Sequence, residues 1–466
     1  MGGEGFEPQK QGFDVNIAGD VTGTPLSYFA PFKGKGRDGQ DRFMPGLEDA
    51  KPGEYLTDRL TTGAEKFIEA NKNKPFFLYL AHYDVHTPIR AKEEYIQHFP
   101  IVSDKPGQQT NRVYAAKVES MDESVGRVLK KLDELKLAEN TLVLFTSDNG
   151  GLSVIEGPNT PSTINSPLRE GKGYLYEGGV RVSLLARWPG VIKAGTTNSS
   201  LVASYDFFPT IAEFCGAPAS GATRLDGVSL VPLLKGTGSL AARGLYWHYP
   251  HYSNQGGKPG AAIREGEWKL IEFYENGRWE LFNVVKNPAE TSNLIEKEPA
   301  IAARLGKKLD DWRIATGAQM MVPNPEFVPN PQAADGSITL PAKTAEVHGI
   351  MLRYEPLPHK NTLGFWTQPA DWAGWEFTVT KPGRFIVEPL QGCGVGQGGS
   401  EVEFSVAGQA LKMTVEDTGH FQNFKPRQIG EVNLDKSGHY TLTVKPKTKA
   451  KAAVMDLRQV RLVPAR

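Results

Sequence analysis

Three short groups of residues carry side chains that can handle a small anion. Asp148 and Asn149 stand in Thr146-Ser147-Asp148-Asn149-Gly150-Gly151, directly after the apolar run Leu142-Val143-Leu144-Phe145. A carboxylate beside an amide oxygen at a strand end suits a hard cation such as Ca²⁺ or Mg²⁺. The two glycines let backbone or ligand come close. The second group is His82-Tyr83-Asp84-Val85-His86-Thr87-Pro88, which follows Phe76-Phe77-Leu78-Tyr79-Leu80. The third is Arg169-Glu170-Gly171-Lys172-Gly173, continued by Tyr176-Glu177-Gly178-Gly179-Val180-Arg181. A cation, an ammonium and an imidazole together suit an anionic tetrahedral group. Taken singly, each group also has a plainer reading. Asp-Asn-Gly is good turn chemistry, Lys172 between two glycines fits an exposed turn, and His82 fits a loop histidine with ordinary partners.

Positioning these groups requires strands that end where the motifs begin. Phe76–Leu80 and Leu142–Phe145 read as buried strands. Between them Tyr114, Val118, Met121, Val125, Val128 and Leu132 step by three and four, the pattern of an amphipathic helix. Strand, helix and strand at this spacing predict a parallel, right-handed crossover. Ser183-Leu184-Leu185-Ala186 adds a third core strand. Leu56, Leu60, Ala64, Phe67 and Ile68 share one face of a helix over Glu54–Ala70, and Asp206 marks another helix start before the apolar run through Phe214. The fold class is therefore α/β over residues 1–240, with an incomplete doubly wound sheet. All three motifs fall in loops of the kind that bind ligands beyond the ends of such strands. Residues 1–55 predict a long ordered loop without strands, whose packing partner is expected upstream, outside this chain.

The pattern changes after Lys235. Leu245–Phe282 alternates aromatic and polar residues, with Gly266 and Gly277 at turn positions, and predicts a small antiparallel sheet. A helix over Pro299–Trp312 completes an α+β subdomain at 241–320. Residues 321–335 read as a linker. Residues 336–466 are all strands and turns, among them Trp375–Val379, Arg384–Glu388, Glu401–Val406 and His439–Val444, and predict a β-sandwich.

Composition narrows the classes. Lys plus Arg and Asp plus Glu both number 53, which argues against the basic stripe of a nucleic-acid binder. No apolar run approaches the ~20 residues of a membrane helix. Cys215 and Cys393 lie too far apart in sequence to read as a zinc knuckle or a disulfide framework. Met1–Phe6 has neither the basic nor the apolar region of a secretory signal.

In order and spacing, Pro75–Pro88, Tyr114–Gly151, Leu168–Pro189, Ser204–Pro218 and Leu225–Leu234 resemble the sulfatase family, of the arylsulfatase type within the alkaline-phosphatase superfamily. Ala262–Leu270 resembles that family's C-terminal subdomain, and the likeness runs to about Trp312. The resemblance implies that Asp148 and Asn149 are the later pair of calcium ligands. It implies that His86 contacts the sulfate and protonates the leaving oxygen, and that Lys172 binds sulfate oxygens. The implied activity is sulfuric-ester hydrolysis, with a sulfated carbohydrate as substrate and a periplasmic or extracellular location. Two other readings stay open: a phosphodiesterase or phosphonate hydrolase of the same superfamily, and a non-catalytic glycan-binding protein.

The family's nucleophile is a Cys or Ser in Cys/Ser-x-Pro-Ser-Arg, oxidised to formylglycine, preceded by an Asp-Asp pair that completes the calcium site. Neither stands in this sequence. Cys215 and Cys393 lack the motif, Ser166-Pro167-Leu168-Arg169 has its proline misplaced, and Asp310-Asp311 falls in a late helix. Met1-Gly2-Gly3 resembles the tail of the family's Gly-Lys-Trp-His-Leu-Gly motif, with Met for Leu. The expectation is a truncated or split gene product with half a Ca²⁺ site, no formylglycine, no turnover on its own and poor solubility. Residues 336–466 resemble carbohydrate-binding or galactose-binding-like jelly rolls, with Trp366, Trp372 and Trp375 as either sugar platforms or core. His248 and His251 either line the substrate cleft or are structural.

Overall fold

The computed structural model describes residues 5–35, 41–101, 109–217, 225–322, 324, 326–349, 351–355 and 359–465. Met1-Gly2-Gly3 therefore lies outside the described residues. The chain divides into two compact units, Met1–Met321 and Val322–Arg466.

The first unit opens with a non-repetitive segment containing a short hairpin, β1 (Lys33–Lys35) against β2 (Asp41–Phe43). Tyr28, Phe32, Met44 and Leu47 pack with Tyr55, Leu56 and Leu60, and with the half-buried Leu80 and Tyr83. The segment folds over α1 (Leu56–Asn71) and the start of the His82–Pro88 loop. Helix α1 buries Leu56, Leu60, Ala64 and Ile68, as its spacing predicts, but also Thr57 and Thr61.

After the short α2 (Glu93–Ile96) comes α3 (Arg112–Glu134). Its buried residues are Ala116, Lys117, Ser120, Ser124 and Leu132. Of the predicted apolar face only Leu132 is buried, and Val118 is 38% exposed. Small and polar residues let α3 sit close to α1, and hydroxyls meet across the seam, with Thr61 Oγ1 2.5 Å from Ser124 Oγ.

Strand β3 (Val143–Thr146) pairs with β4 (Leu184–Arg187) in antiparallel register, Phe145 opposite Leu185. Among the described residues Phe76–Leu80 joins no strand ladder, so the expected parallel crossover does not form there. That segment is extended and two-faced: Phe76 and Leu78 pack on Ile68, Leu132 and Val143, while Phe77 and Tyr79 are 55% and 72% exposed. Between β3 and β4 lies α4 (Glu177–Val180), and beyond them α5 (Phe207–Phe214) and α6 (Val231–Leu234). Asp206 starts α5 as its position predicts. Its buried carboxylate accepts from the backbone N–H of Ala203 (2.8 Å) and Val228 (2.9 Å) and pairs with Arg243.

Strands β5 (Gly244–Tyr249), β6 (Gly260–Glu265), β7 (Trp268–Phe273) and β8 (Arg278–Asn283) form the predicted antiparallel meander. Gly266 and Gly277, at φ 58° and 64°, make two of its turns. Helix α7 (Pro299–Thr316) covers one face through Ala302, Leu305 and Leu309 against Ile263, Leu270 and Leu281. Asp310 and Asp311 are exposed on it.

The second unit is a β-sandwich built from β9 (Ile338–Pro341), β10 (Glu346–His348), β11 (Arg353–Glu355), β12 (Thr362–Gly364), β13 (Trp372–Val379), β14 (Gly383–Cys393), β15 (Glu401–Val406), β16 (Gln409–Thr414), β17 (His420–Pro426), β18 (Glu431–Leu434), β19 (Gly438–Pro446) and β20 (Asp456–Pro464). One sheet runs β10-β13-β19-β15-β16 and the other β11-β12-β20-β14-β17, with β18 on β14 and β9 on β20. Alternate residues of both sheets fill one core, for example Phe377 and Leu442 with Phe385 and Leu462. Trp366 and Trp375 are 0% and 1% exposed in that core, so two of the three platform candidates are packing residues. Trp372 is half-buried, stacked on His348 at 3.6 Å with Lys445 over its ring.

Candidate active site

Three loops of the first unit converge. The backbone turns at Tyr83–His86, where the His86 N–H donates to the Tyr83 carbonyl at 2.8 Å. The turn sends the His86 ring toward the Lys172 loop, and Lys172 Nζ lies 2.9 Å from His86 Nε2. His86 Nδ1 is 2.9 Å from the Thr87 carbonyl, which can only accept. Nδ1 therefore carries the proton of a neutral ring, and Nε2 turns its lone pair to the ammonium.

The Lys172 loop is fastened to the Asp148-Asn149 loop. Lys172 N–H donates to the Gly151 carbonyl at 3.1 Å, and Gly150 N–H to the Gly179 carbonyl at 2.9 Å. The approach is close enough that a Cβ at Gly150 would lie 1.7 Å from the Gly178 carbonyl oxygen. Asn165 bridges both loops, accepting from Gly151 N–H (3.0 Å) and donating to the carbonyls of Gly151 and Glu170 (2.9 Å each). Asp148 is exposed and Asn149 half-buried.

Two buried polar groups hold these loops from behind. Under the His86 turn, Asp84 pairs with Lys117 of α3 at 2.5 Å, both side chains being 0% exposed. The Asp84 carboxylate also accepts from Thr57 Oγ1 and lies 3.3 Å from the Tyr55 hydroxyl. Burial lowers the Lys117 ammonium to about 8, against the opposing pull of Asp84. Behind the Lys172 loop, Glu177 is buried between Arg264 of β6 (2.6 Å) and Lys269 of β7 (3.1 Å). Its N–H donates to Glu290 at 2.7 Å. Burial raises the Glu290 carboxyl above its ordinary range, with Lys269 pulling it back.

The other candidates fall into different places. His248 sits within the small subdomain, Nδ1 2.6 Å from the Tyr274 hydroxyl and Nε2 2.8 Å from the Gln319 carbonyl. Both nitrogens are thus committed, which matches the structural alternative. His251 is exposed at the start of the β5–β6 connection. That connection reaches the Lys172 loop: Tyr174 Oη donates to the Gln255 carbonyl at 2.9 Å, and Gln255 and Asn254 both donate to Glu156. His82 is half-buried on the far side of the turn, Nε2 3.4 Å from Ser124 Oγ and Nδ1 without a hydrogen-bond partner. Burial lowers its pKa.

The sequence placed Glu177 inside a glycine-containing motif but gave no sign of Asn165, Lys117 or the Gln255 loop. The others act through partners far away in the chain.

One carboxylate and one amide oxygen are donors that suit Ca²⁺, but the ion takes 6–8 oxygens. Among the described residues no three His, Cys, Asp or Glu side chains come together as a metal-binding group. Asp148 and Asn149 fit one side of a cation site and not a whole one, so no step below runs through a metal.

Residues 8–217 match a family model described as Sulfatase. Residues 171–315 match one described as N-sulphoglucosamine sulphohydrolase, C-terminal. A protein named "Sulfatase" from Formosa agariphila is 34% identical over 315 residues, covering 62% of this chain and 56% of its own. Human steryl-sulfatase is 37% identical over 198 residues, covering 42% of this chain and 32% of its own. The chain thus spans between a third and just over half of these curated relatives. Among solved structures, Ps i-CgsB in complex with k-i-k-neocarrahexaose is similar with a TM-score of 0.55 and 29% identity, over 67% of this chain and 68% of that one.

Proposed function

We propose, on the premise that the chain belongs to the sulfatase family that its residues 8–217 match, that its first unit carries the oxyanion-binding side of a sulfuric-ester hydrolase for a sulfated glycan. The observation that carries the reading is the 2.9 Å approach of Lys172 Nζ to His86 Nε2. Two polar nitrogens from loops 86 residues apart meet, and an ester sulfate is a ligand both can grip.

The two residues have separable roles. The Lys172 ammonium donates to a non-bridging sulfuryl oxygen and holds charge that persists through S–O cleavage. The imidazole of His86, once protonated at Nε2, gives that proton to the ester oxygen as it leaves. Such leaving-group protonation is worth on the order of 10²–10⁴-fold. A Ca²⁺ ion held partly by Asp148 and Asn149 would add positive charge on the sulfuryl side. The neighbouring Gln255 loop supplies polar groups for a sugar ring, and His251 is the exposed candidate there.

No Cys/Ser-x-Pro-Ser-Arg occurs in these 466 residues. The reading therefore assigns binding and acid catalysis to this chain but no formylglycine nucleophile, and steady turnover by these residues alone is not expected. Periplasmic or extracellular placement goes with a polysaccharide substrate. No described helix is long and apolar enough to cross a membrane.

The test is direct binding. Inorganic sulfate titrated into the full chain by calorimetry should bind, and Lys172→Ala and His86→Ala should each weaken it. Equal affinity in all three proteins would overturn the reading. Steady aryl-sulfate hydrolysis by the purified chain would overturn the expectation that these residues alone do not turn over.

A further inference from the structure

The Tyr83–His86 turn is gripped from three elements at once. From α3, Lys117 reaches the Asp84 carboxylate at 2.5 Å. The same ammonium sits 3.1 Å from the centre of the Tyr28 ring, in the N-terminal segment. Tyr28 Oη in turn lies 2.7 Å from the Tyr83 carbonyl and 2.9 Å from the His86 carbonyl, at the two ends of the turn. From α1, Thr57 donates to Asp84, and Tyr55 lies 3.3 Å from Asp84 and 3.1 Å from the Arg90 carbonyl.

Such a pair is costly to bury. Removing two charges from water is commonly not repaid by their attraction, and apolar residues of like volume are often as stable or more so. What a buried pair adds is direction: one geometry satisfies it. The direction here is that of the residue two places after Asp84.

We propose that Lys117 is the positioning residue for His86, acting through its ion pair with Asp84 and its seat on the Tyr28 ring to fix the turn that aims the imidazole at the sulfate. This rests on the site reading above. Lys117 touches neither substrate nor His86. Asp84, Tyr28 and the Arg90 carbonyl face it, and Tyr55, Thr57 and His82 complete the polar surroundings of the pair.

The experiment uses the full chain with ¹³C-labelled histidine, the His86 ring signal being identified with His86→Gln. The double variant Asp84→Asn/Lys117→Met removes both charges at nearly constant volume. We expect it to keep its circular dichroism spectrum, to shift or broaden the His86 ring signal, and to lose about tenfold or more in sulfate affinity, the size of one charged hydrogen bond lost. Tyr28→Phe, which keeps the ring and the ion pair, should move the same signal less, and stands in if the double variant fails to fold. An unmoved His86 signal with affinity within twofold of wild type would overturn the proposal, whatever happens to the melting temperature. A shifted His86 signal in a protein whose wild type binds no sulfate would keep the positioning role and overturn the sulfatase reading instead.

Discussion

Lys172 and His86 form a pair in which the ammonium donates and the imidazole accepts. An incoming sulfate competes for the ammonium, so the two nitrogens should separate on binding. Lys172→Ala deletes a charged hydrogen bond worth about 1.5–3 kcal/mol, and sulfate affinity should fall roughly 10- to 150-fold by calorimetry. Lys172→Arg should restore only part of it, because a planar fork cannot replace a point donor in the same space. These residues were legible in the sequence because each sits inside a short motif of strand, glycine and polar side chain. Lys117, Tyr28 and Asn165 were not. Their partners lie 33, 55 and 14 residues away, and nothing local distinguishes them from a solvated lysine, a core tyrosine or a loop asparagine.

The elements were read with mixed success, for a shared reason. Periodicity located α1, α3 and the β5–β8 meander well. It misjudged which face of α3 is buried and took Phe76–Leu80 for a strand. A pattern of apolar residues reports which side could be covered, whereas pairing depends on what lies opposite. The loop contact at Gly150 gives an element-scale test: Gly150→Ala places a methyl on the Gly178 carbonyl. Sulfate binding should be lost while the circular dichroism of the rest is retained. In the meander, Leu270 is fully buried under α7, so Leu270→Ala should cost about 2–5 kcal/mol in denaturant unfolding.

At the scale of the whole molecule, each unit has its own core, so calorimetry should resolve two unfolding transitions rather than one. They should respond differently to pH. In the sandwich, burial pushes the Asp456 carboxyl up to about 7, with Gln422 pulling the other way. The folded state then holds a proton that the unfolded state releases near pH 4. Its contribution is fully present below pH 4 and is lost as pH rises through 7, up to about 4 kcal/mol in all. One transition should therefore move up on acidification toward pH 5, and Asp456→Asn should flatten that slope without touching the other. The first unit exposes Phe77, Tyr79 and Leu185 at 55%, 72% and 59%. Replacing them with serine should raise the soluble yield of the chain, read as the fraction left in the supernatant after expression.

Glu177, locked between Arg264 and Lys269, anchors one side of the Lys172 loop. The opposite side meets the connection carrying Ser253 and Gln255, where a Cβ at Gly173 would come within 2.3 Å of Ser253 Oγ. For anyone wishing to retune this protein toward a different sugar, the useful library is therefore the exposed His251, Tyr252 and Asn254, diversified over an untouched anchor and leaving Gln255, Gly256 and Gly257 as they are, since a Cβ at Gly257 would lie 1.8 Å from the Gly173 carbonyl oxygen. Mutagenesis spread evenly over both would mostly yield misfolded clones.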